Sequence, residues 1–183
     1  MVSINPGVQA YDMRQFYDFP DLRSKKQVKC SLPDNTLMGI IYNNPDFSIF
    51  AGIVEKAHYG GKLSEKQANF TLFVPSDTYL KQKYPKQYFD NMDDGLARQI
   101  LAFSMMKRKL DQNLLQASPV SLYPTIDRSN LMQIDTISGV SRLNNCTTVI
   151  HWNHPADNGI IHVIDDLLIP VSVTGKRTWS AYI

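Results

Sequence analysis

With 183 residues, 43% of them hydrophobic and 20% charged, the chain is long enough to bury one ordinary core without metals or disulfides. A formal net charge of +2 is too small to require nucleic acid or an anionic membrane as a partner. No apolar run approaches the length of a bilayer span, and the opening MVSINPGVQAYDMRQFYDF lacks the basic-then-apolar order of a secretory signal. The expected location is therefore intracellular, or extracellular if the sequence is a processed form.

Residues 1–32 read as an extended N-terminal arm. Tyr11, Phe16, Tyr17 and Phe19 are interleaved with Asp12, Arg14, Asp18 and Asp21 at no helical or strand period, and Pro6, Gly7 and Pro20 interrupt any long helix. The domain is expected over residues 33–170. Asp34 or Thr36 can cap a short helix through Leu37, Ile40 and Ile41, ended by Asn43-Asn44-Pro45. Asp46 is then expected to cap a second helix carrying Phe47, Phe50, Val54 and Ala57, with Gly60-Gly61 as its left-handed stop.

Phe70 to Val74 predict a buried strand, followed by a helix whose first amides Ser76 or Asp77 can accept. Asp93 and Asp94 open a helix through Leu96, Ala97, Ile100 and Leu101, acidic at its start as the helix dipole favours. Beyond it the predicted strands are Phe103 to Leu110, Leu131 to Ile137, Thr147 to Trp152 and Ile160 to Leu168. Residues 171–183 form a C-terminal tail. Helices segregated ahead of strands indicate the α+β class.

The groups that could carry chemistry each have a plainer explanation. His162 shares a strand face with Ile160 and Ile164, where a histidine is expected in the core with both ring nitrogens bonded; Asp165 falls on the other face, so the two do not form a dyad. Ser76-Asp77 follows a strand and opens a helix, but the flanking glycines of a nucleophile elbow are missing. His151 and His154, near Cys146 and Asp157, are the best metal candidate, yet a zinc site needs three or four converging ligands; a polar strand end is expected instead. Cys30 and Cys146 are expected to be free, buried thiols, with a single bridge as the alternative. Lys107, Arg108 and Lys109 suit a solvated strand or helix end better than a nucleic-acid groove. Asn69-Phe70-Thr71 and Asn145-Cys146-Thr147 are glycosylation sequons, expected to be accidental in a chain without a secretory signal.

Two stretches together resemble the fasciclin (FAS1) domain family. Thr71 to Leu80 reads TLFVPSDTYL, similar to that family's first motif, T-V-F-A-P-T-N-E-A-F. Asn158 to Pro170 reads NGIIHVIDDLLIP, similar to its second, N-G-V-I-H-V-I-D-x-x-L-L-P. The opening NNPDFSIFAGIVEKAHYGGKL also looks like the family's start, so the resemblance runs from about Thr36 to Pro170. It implies a β-sandwich or wedge with helices packed around it, and no catalysis or cofactor. It also implies structural roles for Thr71, Phe73, Pro75, Ser76, Asn158, Gly159, His162, Asp165 and Pro170. Family members often carry a Tyr-His pair between the motifs, linked in secreted members to adhesion receptors; Phe103-Ser104 stand here instead.

The expected function is a non-enzymatic interaction protein within a larger assembly, with a minor capsid protein of a large icosahedral DNA virus as the setting. Its partners are other proteins, neighbouring subunits reached through arm and tail by Arg14, Phe16, Tyr17, Phe19, Arg177, Trp179 and Tyr182. No nucleic acid, membrane span, metal or cofactor is expected. The competing readings are a secreted or cell-surface adhesion module and, behind it, a metal-dependent or hydrolytic enzyme.

Overall fold

The computed structural model describes residues 35–126 and 130–170. The arm, the tail and all seven contact residues expected on them lie outside the described residues, as does Cys30. Helix α1, Leu37–Asn43, is capped by Thr36, whose hydroxyl accepts from the Gly39 amide. A 3-10 turn, Pro45–Phe47, leads into α2, Ser48–Ala57, which buries Phe50, Ile53, Val54 and Ala57 along one stripe. Helix α2 stops two residues earlier than expected. His58 takes the left-handed conformation at φ 58°, and the Tyr59 amide bonds back to the Val54 carbonyl at 3.3 Å. The glycine pair expected to end α2 instead begins the short helix α3, Gly60–Ser64.

Strand β1, Phe70–Pro75, is buried throughout. Helices α4, Asp77–Lys83, and α5, Lys86–Asp90, follow it, and then α6, Asp94–Phe103, capped by the Asp93 carboxylate at the Leu96 amide. The strand expected over Phe103 to Leu110 shrinks to β2, Met105–Met106. Phe103 completes α6, and Ser104 closes it by donating its amide and hydroxyl to the Ile100 carbonyl. A short helix α7, Gln112–Leu115, precedes the strands β3, Val120–Pro124, β4, Leu131–Ile137, β5, Val140–Leu143, β6, Thr147–Ala156, and β7, Gly159–Ile164. Strand β6 runs four residues past the expected Trp152. Strand β7 stops short of Leu168; Asp165 still bonds to Thr148 of β6, and the Asp166 carboxylate then accepts from the Leu167 amide as the chain leaves the sheet.

All seven strands form one sheet in the order β2-β1-β7-β6-β5-β4-β3. Strands β1 and β7 are parallel, with Phe73 beside His162; every other pairing is antiparallel. Leu72 and Val74 of β1 and Ile161 and Val163 of β7 face the helices. The alternate residues Phe73 and Ile164 pack with Met132, Ile134, Leu143 and Val149. Because three strands separate β4 from β1 in the order, that shared core requires the sheet to fold over on itself. Register shifts along β6, at Val149/His151 and His151/His154, supply local bending. The result is the α+β wedge with packed helices that the motifs imply.

Candidate functional site

The parallel β1–β7 pair brings the two motifs side by side, and its polar side chains all reach for backbone. Asn158, 1% exposed, accepts from the Leu37 amide at 2.8 Å and donates to the carbonyls of Leu63 and Glu65 at 2.8 and 3.0 Å. One amide side chain thus ties the start of α1 and the end of α3 to the mouth of β7. Gly159 follows because nothing larger fits: a Cβ there would lie 2.4 Å from the Phe70 carbonyl oxygen.

His162 is fully buried. Its Nδ1 accepts from the Asn153 amide at 3.1 Å, which places the proton on Nε2, and Nε2 donates to the Leu110 carbonyl at 2.9 Å. Burial drives its pKa down to about 4, against the opposing pull of the Leu110 carbonyl and the Asp111 charge, so the imidazole is neutral. Phe73 and Trp152 pack against the ring, with centroids at 5.4 and 4.8 Å. On β1, Thr71 grips the same loop by donating to the Arg108 carbonyl at 2.6 Å and accepting from the Leu110 amide at 2.8 Å. Thr71 and His162 therefore both hold Leu110, one at its N–H and the other at its C=O. Lys107, Arg108 and Lys109 sit exposed on this loop rather than on a strand.

Asp165 exchanges bonds with Thr148: its amide donates to the Thr148 carbonyl, and its carboxylate accepts from the Thr148 amide at 2.8 Å. Asp166 accepts from Tyr84, Lys83 and the Leu167 amide. Pro75 and Pro170 are buried at the ends of the two motifs.

Sequence reasoning missed a trade between Asp46 and Asp77. Neither caps the helix that its position in the sequence suggests. The Asp46 carboxylate accepts from the Ser76 hydroxyl at 2.6 Å and from the amide and hydroxyl of Thr78, which opens α4. The Asp77 carboxylate reaches the other way, to the Ser48 hydroxyl and Ile49 amide at the start of α2. Ser76 makes no side-chain cap of its own. The two helix starts lie close enough that each cap serves its neighbour. Burial pushes the Asp46 carboxyl up, but the bonds from Ser76 and Thr78 and the Lys81 charge outweigh it and hold the group below the ordinary carboxylate range.

His151 and His154 both lie exposed on β6, and among the described residues no three His, Cys, Asp or Glu side chains gather as metal ligands would. Cys146 is exposed, not buried as expected, because Asn144 and Asn145 turn left-handed at φ 51° and 61° and lift it out between β5 and β6. Asn69 and Asn145, the two sequon asparagines, are also exposed. Among the described residues no helix is long and apolar enough to cross a membrane.

A family profile described as the fasciclin domain matches residues 45–170, more than half of the chain and both motifs. The chain belongs to the fasciclin domain family. The fasciclin fold also appears in a solved structure to which the chain is similar, a FAS1 domain pair from the insect cell adhesion molecule fasciclin I. Identity is 24% and the TM-score 0.61 over 75% of this chain and 51% of that one. The chain thus spans about half the length of that structure. No curated protein sequence matches it. Fasciclin domains are typically non-enzymatic modules of protein interaction or adhesion. In this one Phe103 and Ser104, which stand in place of a Tyr-His pair, are both buried at the end of α6.

Proposed function

We propose that this fasciclin domain is a non-enzymatic interaction module that joins larger partners within an assembly, and that its motif residues serve architecture. The observation that carries this reading is how its reactive side chains are spent. The buried imidazole of His162 has both nitrogens bonded to backbone, and Ser76 donates to a carboxylate that caps a helix. A general base needs a free lone pair within reach of a substrate proton, and neither group offers one. Thr71, Phe73, Pro75, Asn158, Gly159, Asp165 and Pro170 complete that framework.

The surface points the same way. Val120 and Leu122 of β3, Leu131 and Ile137 of β4, and Val140 of β5 stand between 45% and 70% exposed. Register puts them on one face, since Val120 lies opposite Asp135, Leu122 opposite Gln133 and Ile137 opposite Val140. Gln133, Asp135 and Arg142 lie among them on that face, and exposed apolar side chains gathered within a polar setting are a feature of interaction sites. Arm and tail, with Arg14, Phe16, Tyr17, Phe19, Arg177, Trp179 and Tyr182, extend the contact set. A viral capsid is the assembly we favour, with the chain as a minor component.

The test is light scattering on extracts of the native source, comparing wild type with a Leu122→Lys/Ile137→Lys variant. Wild type is expected in a larger species, and the variant alone at 20.8 kDa. A wild type that travels alone rejects the assembly reading, and absence from purified virions rejects the capsid setting. The adhesion reading, drawn from the likeness to an insect cell adhesion molecule, is favoured by the exposure of Asn69 and Asn145. Glycan found on either residue in native material would replace an intracellular or virion assembly with a cell-surface one.

A further inference from the structure

We propose that the groove between α2 and the α4–α5 segment docks an acidic peptide segment with an apolar anchor, contributed by a partner protein. This rests on the interaction reading above and names one of its surfaces. The groove holds about 690 Å³. Ile49, Gly52 and Ile53 of α2 form one side, and Tyr84, Pro85 and Phe89 the other.

Gly52 is the first clue. It lies inside α2, where glycine is a poor helix former, and the structure gives it no steric reason to be there. Its backbone is helical rather than left-handed, and a Cβ built on it would meet nothing within 4 Å. Its neighbours contrast with it. Phe50, Ile53 and Val54 are packed into the core, while the glycine leaves a notch in the groove wall. Gly159 shows what a sterically required glycine looks like in this fold, with a backbone oxygen at 2.4 Å. Gly52 fits a surface that something else must approach closely.

Charge is the second clue. Three lysines, Lys56, Lys81 and Lys86, line the groove beside one lining carboxylate, Asp90, with a second, Asp77, paired to Lys81. Lys56 donates to the carbonyls of Phe89, Asp90 and Met92 at 2.8, 3.0 and 2.8 Å, so its charge is met by dipoles, with no carboxylate paired to it among the described residues. That geometry also fixes the α5 wall to α2. Lys81 shares Asp77 at 3.3 Å with the start of α2. Lys86 is exposed and has no ionic partner among the described residues. Apolar sides beneath a cationic rim are complementary to a segment that places an apolar side chain in the notch and carboxylates at the lysines. A nucleic acid would use the lysines but leave the apolar sides uncovered.

The experiment is fluorescence anisotropy on the full chain with a labelled peptide of leucine, glutamate and one tryptophan, set against a counterpart with lysine for each glutamate. The acidic probe is expected to bind and the basic one not to. Gly52→Leu, whose Cβ enters open space in the groove wall, and Lys86→Glu are each expected to weaken binding at least tenfold while the melting temperature holds. Binding of the acidic probe unchanged by Gly52→Leu overturns the proposal, as does an acidic probe that fails to bind. Displacement by oligothymidylate as readily as by unlabelled peptide also overturns it, by showing a general polyanion surface. None of these failures touches the assembly reading, which stands or falls on the size of the native species and the Leu122→Lys/Ile137→Lys variant.

Discussion

The β1–β7 pair and the β3–β5 region of the same sheet treat polar and apolar side chains in opposite ways. In the first, Thr71, Asn158 and His162 are buried and wholly committed to backbone. In the second, Leu122, Leu131 and Ile137 stand in solvent on a regular strand face. Residues that look reactive hold the fold together, and residues that look bland form the surface most open to a partner. Residue type alone would point to Thr71, Asn158 and His162, whose polar atoms are spent on backbone.

The largest effects should fall on the first region. Asn158→Ala would strand the Leu37 amide and the Leu63 and Glu65 carbonyls in a buried site, a loss on the order of 4 kcal/mol in urea denaturation. A loss under about 1 kcal/mol would remove Asn158 from the framework. His162→Ala should cost about 3 kcal/mol, from the cavity and from two unmatched backbone groups.

The pH dependence sharpens the same point. The folded pKa of His162, about 4, lies below the ordinary 6.5, so the unfolded chain binds its proton first as pH falls. Stability from this residue is complete above about pH 6.5. It drains away between there and about pH 4, by on the order of 3 kcal/mol, and then levels off. That slope should disappear in His162→Phe, as measured by denaturation at a series of pH values.

The traded caps come next. Asp46→Ala or Asp77→Ala should each cost about 1–2 kcal/mol, as the loss of a helix cap does. Each should raise amide exchange at the start of the other residue's helix, α4 for Asp46 and α2 for Asp77. Exchange rising only in the residue's own helix would contradict the trade. The depressed pKa of Asp46 adds that its contribution holds through neutral pH and is lost only as pH falls through and below the usual carboxylate range.

The smallest effects belong to the β3–β5 face. Leu122→Ser should change stability by no more than about 0.5 kcal/mol, because the side chain is 60% exposed. A large destabilisation there would mean that the face is packed, and would break the contrast on which its proposed role as an interaction surface depends.

Much of this architecture was legible in the residues. The stripe of Phe50, Val54 and Ala57, the acidic start of α6 and the alternation through β7 are local signals, and local periodicity marks which side of an element is buried. The two motifs identified the family, and the burial of His162 beside two isoleucines followed from strand alternation. Short elements were not legible. Helices α3, α5 and α7 and strands β3 and β5 hold four or five residues each, too few for a period to show. Nor was the groove over which Gly52 lies, because its two sides come from segments about 30 residues apart.

What only the tertiary structure decided is who bonds to whom. Asp46 and Asp77 each sit where a cap for the nearest helix is expected, yet each serves a helix start about 30 residues away in the chain. Leu110, in a loop predicted as strand, became the common anchor of Thr71 and His162. The sheet also folds over so that β4 covers β1. By itself the sequence determined the order of the longer elements, the face each of those buries and the family to which they belong, because these depend on neighbours a few residues apart. The partners of its polar groups were left to packing, because a buried donor bonds to whichever acceptor the fold brings within 3 Å, wherever that acceptor lies in the chain.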